Sequence, residues 1–237
     1  IRDKLDEMNE VALEEEPSYL DFLAYLVQKE VDGREQTQRE RRLKAARFPA
    51  LRTLQDFDFS FQTSVSQQTI WDLAGLEFVK ARENLILLGP PGVGKSHLAI
   101  ALGLEAVHAG YSVLFITMDE LANKMYSSLA DGSLPQYIRS LLRNDLIILD
   151  EVGYLTLGKT DSDHLFQLIS RAYENVALIV TSNLDFSEWG TMFASPSTAA
   201  AVLDRLLHHA HVITLRGDSY RVRNRLAPPQ LIQAKGD

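Results

Sequence analysis

A glycine-rich octapeptide limits the folds open to this chain more than any other segment: it reads Gly89-Pro90-Pro91-Gly92-Val93-Gly94-Lys95-Ser96. The octapeptide has the form G-x-x-x-x-G-K-[ST] and follows the apolar run 84–88, so the predicted order is strand, loop and helix. Glycines let backbone N–H groups converge on phosphate oxygens, and the helix adds its positive amino-terminal end. The segment predicts a nucleoside triphosphate site; the alternative is a Gly-Pro turn before an ordinary amphipathic helix.

Within this segment the charged and hydroxyl side chains have separate predicted tasks. Lys95 is expected to reach the β- and γ-phosphates, and Ser96 to give its hydroxyl to Mg²⁺. The predicted nucleotide contacts comprise the octapeptide and the next residue, His97. ATP and Mg²⁺ are therefore the expected nucleotide and metal.

Two carboxylates, Asp150 and Glu151, follow another apolar strand, predicted at 145–149. In a parallel sheet the carboxyl ends of the strands face the ligand, so both side chains are predicted beside the phosphates. Asp150 is expected to hold Mg²⁺, and Glu151 to orient and polarise the attacking water, because phosphoryl transfer needs the two tasks on separate groups. A solvated strand end is the other interpretation of such a pair.

Two further side chains are candidates for the reaction. Asn183 follows the next apolar strand and is expected to hold the attacking water or sense the γ-phosphate, unless it is a plain turn residue. Charge developing in the transition state calls for a cation, and Arg205 on the last long helix is the first candidate, with Arg171 second. The alternative for Arg205 is a surface ion pair with Asp204 or Glu188.

Strand and helix patterns alternate from residue 84 onward, which predicts an α/β fold with a parallel sheet covered on both faces. The predicted strands are 84–88, 112–116, 145–149, 177–181 and 211–215, and the predicted helices lie near 95–109, 119–129, 135–143, 161–174 and 197–209. Gly110 fits a helix C-terminal cap, and Ser195-Pro196 fits an N-cap followed by a proline in the first turn.

The first fifty residues have a different pattern. Residues 5–47 are predicted to be helical, with a start at Pro17-Ser18 and a break or bend at Asp32-Gly33. Residues 51–64, with alternating phenylalanines, are predicted to form an extended linker with its aromatic rings on one side. We place the domain boundary near residue 50, which gives a small helical domain over 1–50 and a nucleotide-binding domain over 51–237.

Composition excludes several classes of protein. The chain of 237 residues is 46% hydrophobic and 24% charged, as ordinary globular proteins are. No apolar stretch approaches 18 residues and no signal peptide is evident, so no membrane association and a cytoplasmic location are expected. Because cysteine is absent, disulfides, thiolate metal sites and cysteine nucleophiles are excluded.

The net charge of −8 is unevenly distributed. Residues 1–32 are strongly acidic, whereas residues 34–47 are basic, and local patches decide whether a phosphate backbone is attracted. The predicted DNA contacts of the basic segment are Arg39, Arg41, Arg42, Lys44 and Arg47. A second set lies between the second and third predicted strands and comprises Lys124, Arg139 and Arg143. For both sets the alternative is a solvated helical face.

Taken together, these segments resemble the AAA+ ATPases, and within them the clade of bacterial replication initiators and helicase loaders. They are most similar to the IstB-like ATP-binding proteins, the transposition helper ATPases of insertion sequences, over nearly the whole chain. The segments that carry the resemblance are 44–49, 56–61, 89–99, 150–154, 181–183, 203–209 and 217–221. The aromatic segment 56–61 and the histidine-bearing segment near 208 are far more specific than the phosphate loop.

The resemblance implies a three-layer AAA+ P-loop fold with five parallel strands, in which Asn183 is the first sensor. Arg205 matches the arginine finger, which acts on ATP held by a neighbouring subunit, so ATP-dependent homo-oligomers on duplex DNA are expected. In this clade an extra helix before the third strand touches nucleic acid, and Lys124, Arg139 and Arg143 lie in that region. Binding with little base preference is expected, and the implied partner is the transposase of the same element.

Some questions stay open from the sequence. The chain ends about twenty residues after the last predicted strand, so a C-terminal helical lid is expected to be absent or minimal, with Arg221 or Arg223 as a stand-in for its second sensor. Alternative functions are a replicative helicase loader, or a nucleotide-gated DNA-binding scaffold in which hydrolysis only triggers release. The histidines at 208, 209 and 211 are not predicted to bind metal, because adjacent helical residues point to different faces and no carboxylate or cysteine cluster accompanies them.

Overall fold

Between residues 18 and 226, which a computed structural model describes, five parallel strands form one sheet in the order β2-β3-β4-β1-β5. The strands are β1 (Asn84–Leu88), β2 (Val113–Thr117), β3 (Leu146–Val152), β4 (Ala177–Ser182) and β5 (Ala210–Thr214). In the register Leu88 lies opposite Ser182, and Thr117 lies opposite Asp150. The strands therefore end at nearly the same level, and the loop after β1 begins beside the end of β4.

Helices occupy most of the remaining described chain. They are α1 (Tyr19–Ala46), α2 (Gln67–Ala74), α3 (Glu77–Lys80), α4 (Lys95–His108), α5 (Met118–Ala130), α6 (Leu134–Leu141), α7 (Lys159–Ala172), α8 (Pro196–His208) and α9 (Tyr220–Leu226), and a 3₁₀ helix spans Phe186–Thr191. Within the described segment, no helix is long and apolar enough to cross a membrane.

Helices cover both faces of the sheet, which gives three layers. Successive residues of a strand point to opposite faces, and β1 shows this directly. Leu85 and Leu87 pack with α4, whereas Ile86 and Leu88 pack in a second apolar cluster with α5, α7 and α8. Every residue of β1 is buried, as is typical of a central parallel strand. The predicted α/β architecture is confirmed.

The predicted strands and the helices between them are confirmed, with ends that differ by at most three residues. Their local signals act as expected. The hydroxyl of Ser195 accepts a hydrogen bond from the backbone N–H of Thr198 at 3.1 Å, and Pro196 opens α8. Gly110, just past the end of α4, has a φ of +95°. Ser18 caps the start of α1; the helical prediction for residues 5–17 lies outside the described residues.

Of the break or bend predicted at Asp32-Gly33, the break is wrong, because α1 runs without interruption through both residues. A glycine inside a helix costs only about 1 kcal/mol, which side-chain contacts along the helix can offset. Gln28 donates to the carboxylate of Asp32 at 2.8 Å, and the hydroxyl of Thr37 donates to the carbonyl of Gly33 at 2.8 Å. These contacts span the predicted break.

The last turn of α1 packs against α4 and β2, with Ala46 fully buried. The division into domains at residue 50 stays a prediction.

The predicted extended linker at 51–64 is also wrong, because the segment is a series of turns. Asp58 accepts hydrogen bonds from the hydroxyl of Ser60 and the backbone N–H of Phe61, which bends the chain. The aromatic rings consequently point to different partners instead of one side. Phe57 packs edge-on against His97, and Phe61 packs edge-on against Tyr220, each with ring centroids 5.3 Å apart. Both contacts border the loop after β1.

Candidate active site

The loop 89–94 turns from the end of β1 into the first turn of α4, and all three of its glycines have positive φ angles. Gly92 and Gly94 have φ angles of +85° and +104°, a region that side chains rarely adopt. A Cβ atom on Gly94 would also lie 2.6 Å from the ring of Phe57. The loop is thereby held against the aromatic segment 57–61, and its backbone opens toward a cleft.

Lys95 is largely buried at the base of this loop. Its Nζ donates hydrogen bonds to the carbonyl oxygens of Gly89 at 2.6 Å and Pro90 at 2.8 Å. Burial lowers the pKa of Lys95; the carboxylate of Asp150 opposes this shift, and the guanidinium of Arg221 adds to it. The ammonium group is therefore held inside the loop, between a carboxylate and a second cation.

Asp150 is the centre of the hydrogen-bond network of the site. Its side chain is only 5% exposed, and its Oδ1 accepts from the hydroxyl of Ser96 at 2.8 Å and from that of Thr181 at 2.5 Å. These three residues come from α4, β3 and β4, so one carboxylate oxygen joins the loop-bearing helix to two strands. A serine hydroxyl beside a buried carboxylate offers the hard oxygen ligands that Mg²⁺ prefers. The residues present fit a magnesium ion.

Glu151 is directed into the cleft by an irregularity in β3. The pairing of β3 with β4 shifts between Leu149 and Val152, and Glu151 has a φ of +64°. Such a bulge re-aims a side chain, and a positive φ at a residue other than glycine is a strained state that recurs at functional sites. The backbone N–H of Glu151 donates to the hydroxyl of Thr181 at 3.0 Å, which stabilises the bulge. Asp150 is thus buried while its neighbour is exposed.

Asn183 lies just beyond the end of β4 and also lines the cleft. Its Oδ1 is buried and accepts no hydrogen bond in the described part of the chain. Gly153 leaves room for it, since a Cβ atom there would lie 2.8 Å from Asn183 Oδ1. A buried polar atom without a partner is costly, and one at the wall of a cleft indicates a ligand or a water held there.

The cleft has a volume of about 920 Å³, in the range of small-molecule sites. The structure brings together the predicted residues Lys95, Ser96, Asp150, Glu151 and Asn183 along its wall. His97 also lines it, and the Nε2 of His97 lies 2.8 Å from the carbonyl oxygen of Thr53. Gly89 and Pro90 contribute their carbonyl groups to Lys95 and do not line the cleft.

A short helix, α9, closes one side of the cleft. The backbone N–H of Tyr220 donates to the carbonyl of Gly92 at 3.0 Å, which fixes the helix on the loop. Arg221 consequently lines the cleft, whereas Arg223 does not line it and pairs at its rim with Asp58 at 3.6 Å. Of the two arginines considered as a second sensor, only Arg221 faces the site.

Arg205 lies on α8 and does not line this cleft. Its Nη1 donates to the carbonyl of Ala201 at 2.9 Å, and its guanidinium lies over the ring of Phe166 at 4.8 Å. Among the ion pairs of the described residues, none joins Arg205 to Asp204 or Glu188. The cation predicted for the reaction is therefore separated from the phosphate loop of its own subunit.

The predicted DNA contacts are divided between two surfaces. Arg39, Arg41 and Lys44 are exposed on α1, and within residues 18–226 no acidic side chain pairs with them. Arg47 and Lys124 line a second groove between α5 and α6, and Arg47 also lines the first cleft. The remaining predicted contacts, Arg42, Arg139 and Arg143, lie outside this groove.

Thr181 belongs to the hydrogen-bond network of the candidate site, although the sequence motifs assigned it no individual role. It bridges Asp150 and Glu151, yet only Asn183 was assigned a role in the polar end of β4. A signal was available, because the hydroxyl residues Thr181 and Ser182 end an otherwise apolar strand. Along the chain this strand follows the one that ends in carboxylates. What the sequence lacks is the strand order, which makes β4 the neighbour of β3.

Both the architecture and the site define the class of protein. The crystal structure of DnaI superposes with a TM-score of 0.59 at 23% identity, covering 69% of this chain and 90% of that one. The fold is that of the AAA+ P-loop proteins, and the loop, the buried carboxylate and the bulged glutamate occupy one cleft of it.

The particular family follows from the sequence comparison. The profile of the IstB-like ATP-binding proteins matches residues 2–228, and the chain belongs to this family. An ATP-binding protein of insertion sequence IS21 from Pseudomonas aeruginosa is 43% identical over 221 residues, or 93% of this chain and 83% of the relative. One from insertion sequence IS5376 of Geobacillus stearothermophilus is 39% identical over 92% of this chain and 87% of the relative. The resemblance stated from the sequence is confirmed.

The network around Asp150 yields a prediction for Thr181. Thr181→Val keeps the shape of the side chain but removes the hydroxyl, so Asp150 loses a donor and the N–H of Glu151 loses its acceptor. We expect the free energy of unfolding to fall by about 1–3 kcal/mol, measured by urea denaturation. Thr181→Ser, which keeps the hydroxyl, is the matched control and should lose less. Equal losses in the two variants would contradict the bridging role.

Proposed function

We propose that this protein is a magnesium-dependent ATPase that assembles on duplex DNA and assists the transposase of an insertion sequence. The observation that carries the ATPase is the convergence of Ser96 and Thr181 on Asp150, with Glu151 directed into the same cleft. Relatives named as ATP-binding proteins of insertion sequences support the nucleotide and the biological setting.

The chain's own residues divide the binding task. The backbone N–H groups of the loop and the amino-terminal end of α4 face the phosphates, since both offer positive partial charge. Lys95 exchanges its two carbonyl acceptors in the loop for phosphate oxygens when nucleotide binds. Ser96 and Asp150 would hold a Mg²⁺ ion, which would supply positive charge to the nucleotide phosphates.

Glu151 is the proposed general base. It is exposed to the cleft while Asp150 is buried beside two hydroxyl donors, so the two carboxylates have different environments and separate tasks. The carboxylate of Glu151 accepts a proton from the attacking water as the water oxygen bonds to the γ-phosphorus. The bond between that phosphorus and the β–γ bridging oxygen breaks in the same step, and ADP leaves with its electron pair. Asn183, whose buried Oδ1 needs a donor, orients that water. Arg221 faces the phosphates from α9.

This mechanism predicts different effects of two substitutions, one on ATP turnover and one on ATP binding. We expect Glu151→Gln to bind ATP but to lose turnover by about 10²–10⁴-fold, because the base is removed and the metal ligands remain. Lys95→Ala should lose ATP binding itself. Turnover is measured with DNA present, and affinity with a fluorescent ATP analogue.

The exposed surface pair Glu77 and Lys80 provides matched controls, Glu77→Gln and Lys80→Ala, which should leave both quantities unchanged. Wild-type turnover in either site variant would refute the catalytic assignment.

The position of Arg205 supports an oligomer. It is separated from the cleft of its own subunit, so we propose that it completes the cleft of a neighbouring copy and stabilises charge that develops there. Hydrolysis then requires assembly, and ATP held between two copies favours the assembled state.

Mixing two inactive variants tests whether the arginine acts between subunits. Arg205→Ala alone should lose about 10³–10⁵-fold in turnover. Mixed with Lys95→Ala, which keeps its arginine but binds no ATP, it should regain a measurable part of that activity at mixed interfaces. Lys159→Ala, which removes an exposed cation from the start of α7, is the control and should stay active. A mixture that stays as inactive as its components would show that the arginine does not act across subunits.

DNA binding is proposed at two basic surfaces. The first is the exposed basic end of α1, and the second is the groove that Arg47 and Lys124 line, with Arg139 and Arg143 on the surface beyond it. Lysine and arginine contact phosphates and supply affinity with little base preference. Since Arg47 and Glu120 line both the groove and the nucleotide cleft, the two sites share a wall.

Salt dependence tests the first of these surfaces. Replacing Arg41, Arg42 and Lys44 with glutamine should weaken binding to duplexes of any sequence. The slope of log K against log salt should become shallower by about 2.7, since three phosphate contacts are lost. The control Lys80→Gln with Lys159→Gln removes exposed cations elsewhere and should leave the slope within error. An unchanged slope in the triple variant would place DNA binding on another surface.

The transposase partner is favoured over a helicase partner by the degree of similarity. Insertion-sequence relatives are up to 43% identical to this chain, whereas the likeness to DnaI, at 23%, shows the fold alone. Comparing insertion reactions with ATP and with a slowly hydrolysed analogue separates a helper that needs turnover from a nucleotide-gated scaffold.

A further inference from the structure

A cluster of potential metal ligands lies at the end of the sheet opposite the nucleotide cleft. His208 is the last residue of α8, and His209 follows it with φ −129° and ψ 77°. Because His209 has left the helix, the two rings turn toward each other, with centroids 4.2 Å apart. The expectation that these histidines point to different faces is wrong, since it assumed that the helix continued.

The carboxylate that the sequence did not place near them is Glu174. It lies in the turn between α7 and β4, where a φ of +58° directs it toward the histidines. Its Oε1 is 3.7 Å from Nε2 of His209. One ligand atom from each of Glu174, His208 and His209 lies within 4.8 Å of the other two. A carboxylate from the turn after α7 thus lies close to two imidazoles at the end of α8.

Tyr173 contacts both histidines of this cluster. Its hydroxyl oxygen lies 2.6 Å from Nδ1 of His208, and its ring stacks on that of His209 with an interplanar angle of 23°. When Nδ1 donates to the tyrosine oxygen, Nε2 of His208 carries the lone pair that a metal needs. Metal-binding histidines commonly give their other ring N–H to an oxygen in this way, which fixes the tautomer and the ring orientation.

We propose that Glu174, His208 and His209 form a binding site for a divalent transition metal, with Zn²⁺ as the best fit. Two imidazoles and a carboxylate make the set of three protein ligands that leaves one tetrahedral position for water. Ligand atoms around tetrahedral zinc lie about 3.3 Å apart. The ligand atoms of the three exposed side chains therefore need to approach one another by at most about 1.5 Å, through rotation about the side-chain bonds.

The chemistry distinguishes this site from the nucleotide cleft. Imidazole suits zinc, copper and nickel, whereas Mg²⁺ prefers oxygen ligands such as those around Asp150. The helices α7 and α8 are neighbours. A metal ion at this site would join the last turn of α8 to the turn that follows α7. Its occupancy therefore stabilises the helix pair that carries Arg205, and it does not depend on the proposed ATPase activity.

Direct metal titration tests the site. The full chain, without affinity tag or nucleotide, is titrated with Zn²⁺ against a chromogenic chelator. We expect one equivalent per chain and a tetrahedral visible spectrum when Co²⁺ replaces Zn²⁺. His208→Ala, His209→Ala and Glu174→Gln should each weaken binding by more than 100-fold, and Tyr173→Phe by about 10–100-fold.

Histidines outside the cluster serve as controls. His211 pairs with Glu83 at 2.9 Å, and His108 is exposed at the end of α4. Their alanine variants should bind Zn²⁺ as the wild type does. Failure of the wild type to bind one equivalent, or retention of full affinity in the His209→Ala and Glu174→Gln variants, would overturn the proposal.

Thermal unfolding supplies a second measurement that is independent of catalysis. A ligand that binds only the folded chain, at 100 times its Kd, should raise the Tm by roughly 5–10 °C. We expect this rise in the wild type and its absence in His209→Ala, whose Tm without metal should match the wild type because the side chain is exposed. An equal rise in His209→Ala would place the bound metal elsewhere and refute the site.

Discussion

The structure of the site depends on one buried carboxylate. Asp150 accepts hydrogen bonds from Ser96 on the loop-bearing helix and from Thr181 on the adjacent strand, so it connects three elements that the chain visits far apart. Hydrogen bonds to a charged group contribute about 1.5–3 kcal/mol each, and leaving such a charge buried without them is costly. The same contacts that stabilise the carboxylate place a hydroxyl beside it at the spacing a magnesium site needs.

The catalytic side of the site depends on a departure from regular structure. A regular strand would point Asp150 and Glu151 to opposite faces of the sheet, and the second carboxylate would be lost in a helical layer. The bulge between Leu149 and Val152 removes this restriction, and the hydroxyl of Thr181 stabilises it through the N–H of Glu151. One threonine therefore supports both the buried carboxylate of Asp150 and the position of the proposed base.

Two proposals concern the carboxyl-terminal end of α8: that Arg205 acts in a neighbouring copy, and that a transition metal binds at Glu174, His208 and His209. Arg205 and His208 lie in the last turn of α8 and His209 follows it, at the end of the sheet where the strands begin. The phosphate loop precedes α4 at the opposite end, where the strands finish. An arginine held over Phe166 and away from its own cleft is available to a neighbouring copy. A zinc ion at Glu174, His208 and His209 would fix the end of the helix from which that arginine projects.

The sequence by itself determined the order of elements, the phosphate loop and the acidic pair, because these are written in contiguous residues with strong periodicity. The motif at 89–96 and the apolar runs before it and before Asp150 needed no long-range information. The tertiary structure alone decided the continuity of α1 through Gly33, the contact of Thr181 with Asp150, and the meeting of Glu174 with His209. Those outcomes depend on strand order, on where a helix ends and on side-chain contacts across the fold, none of which local spacing encodes.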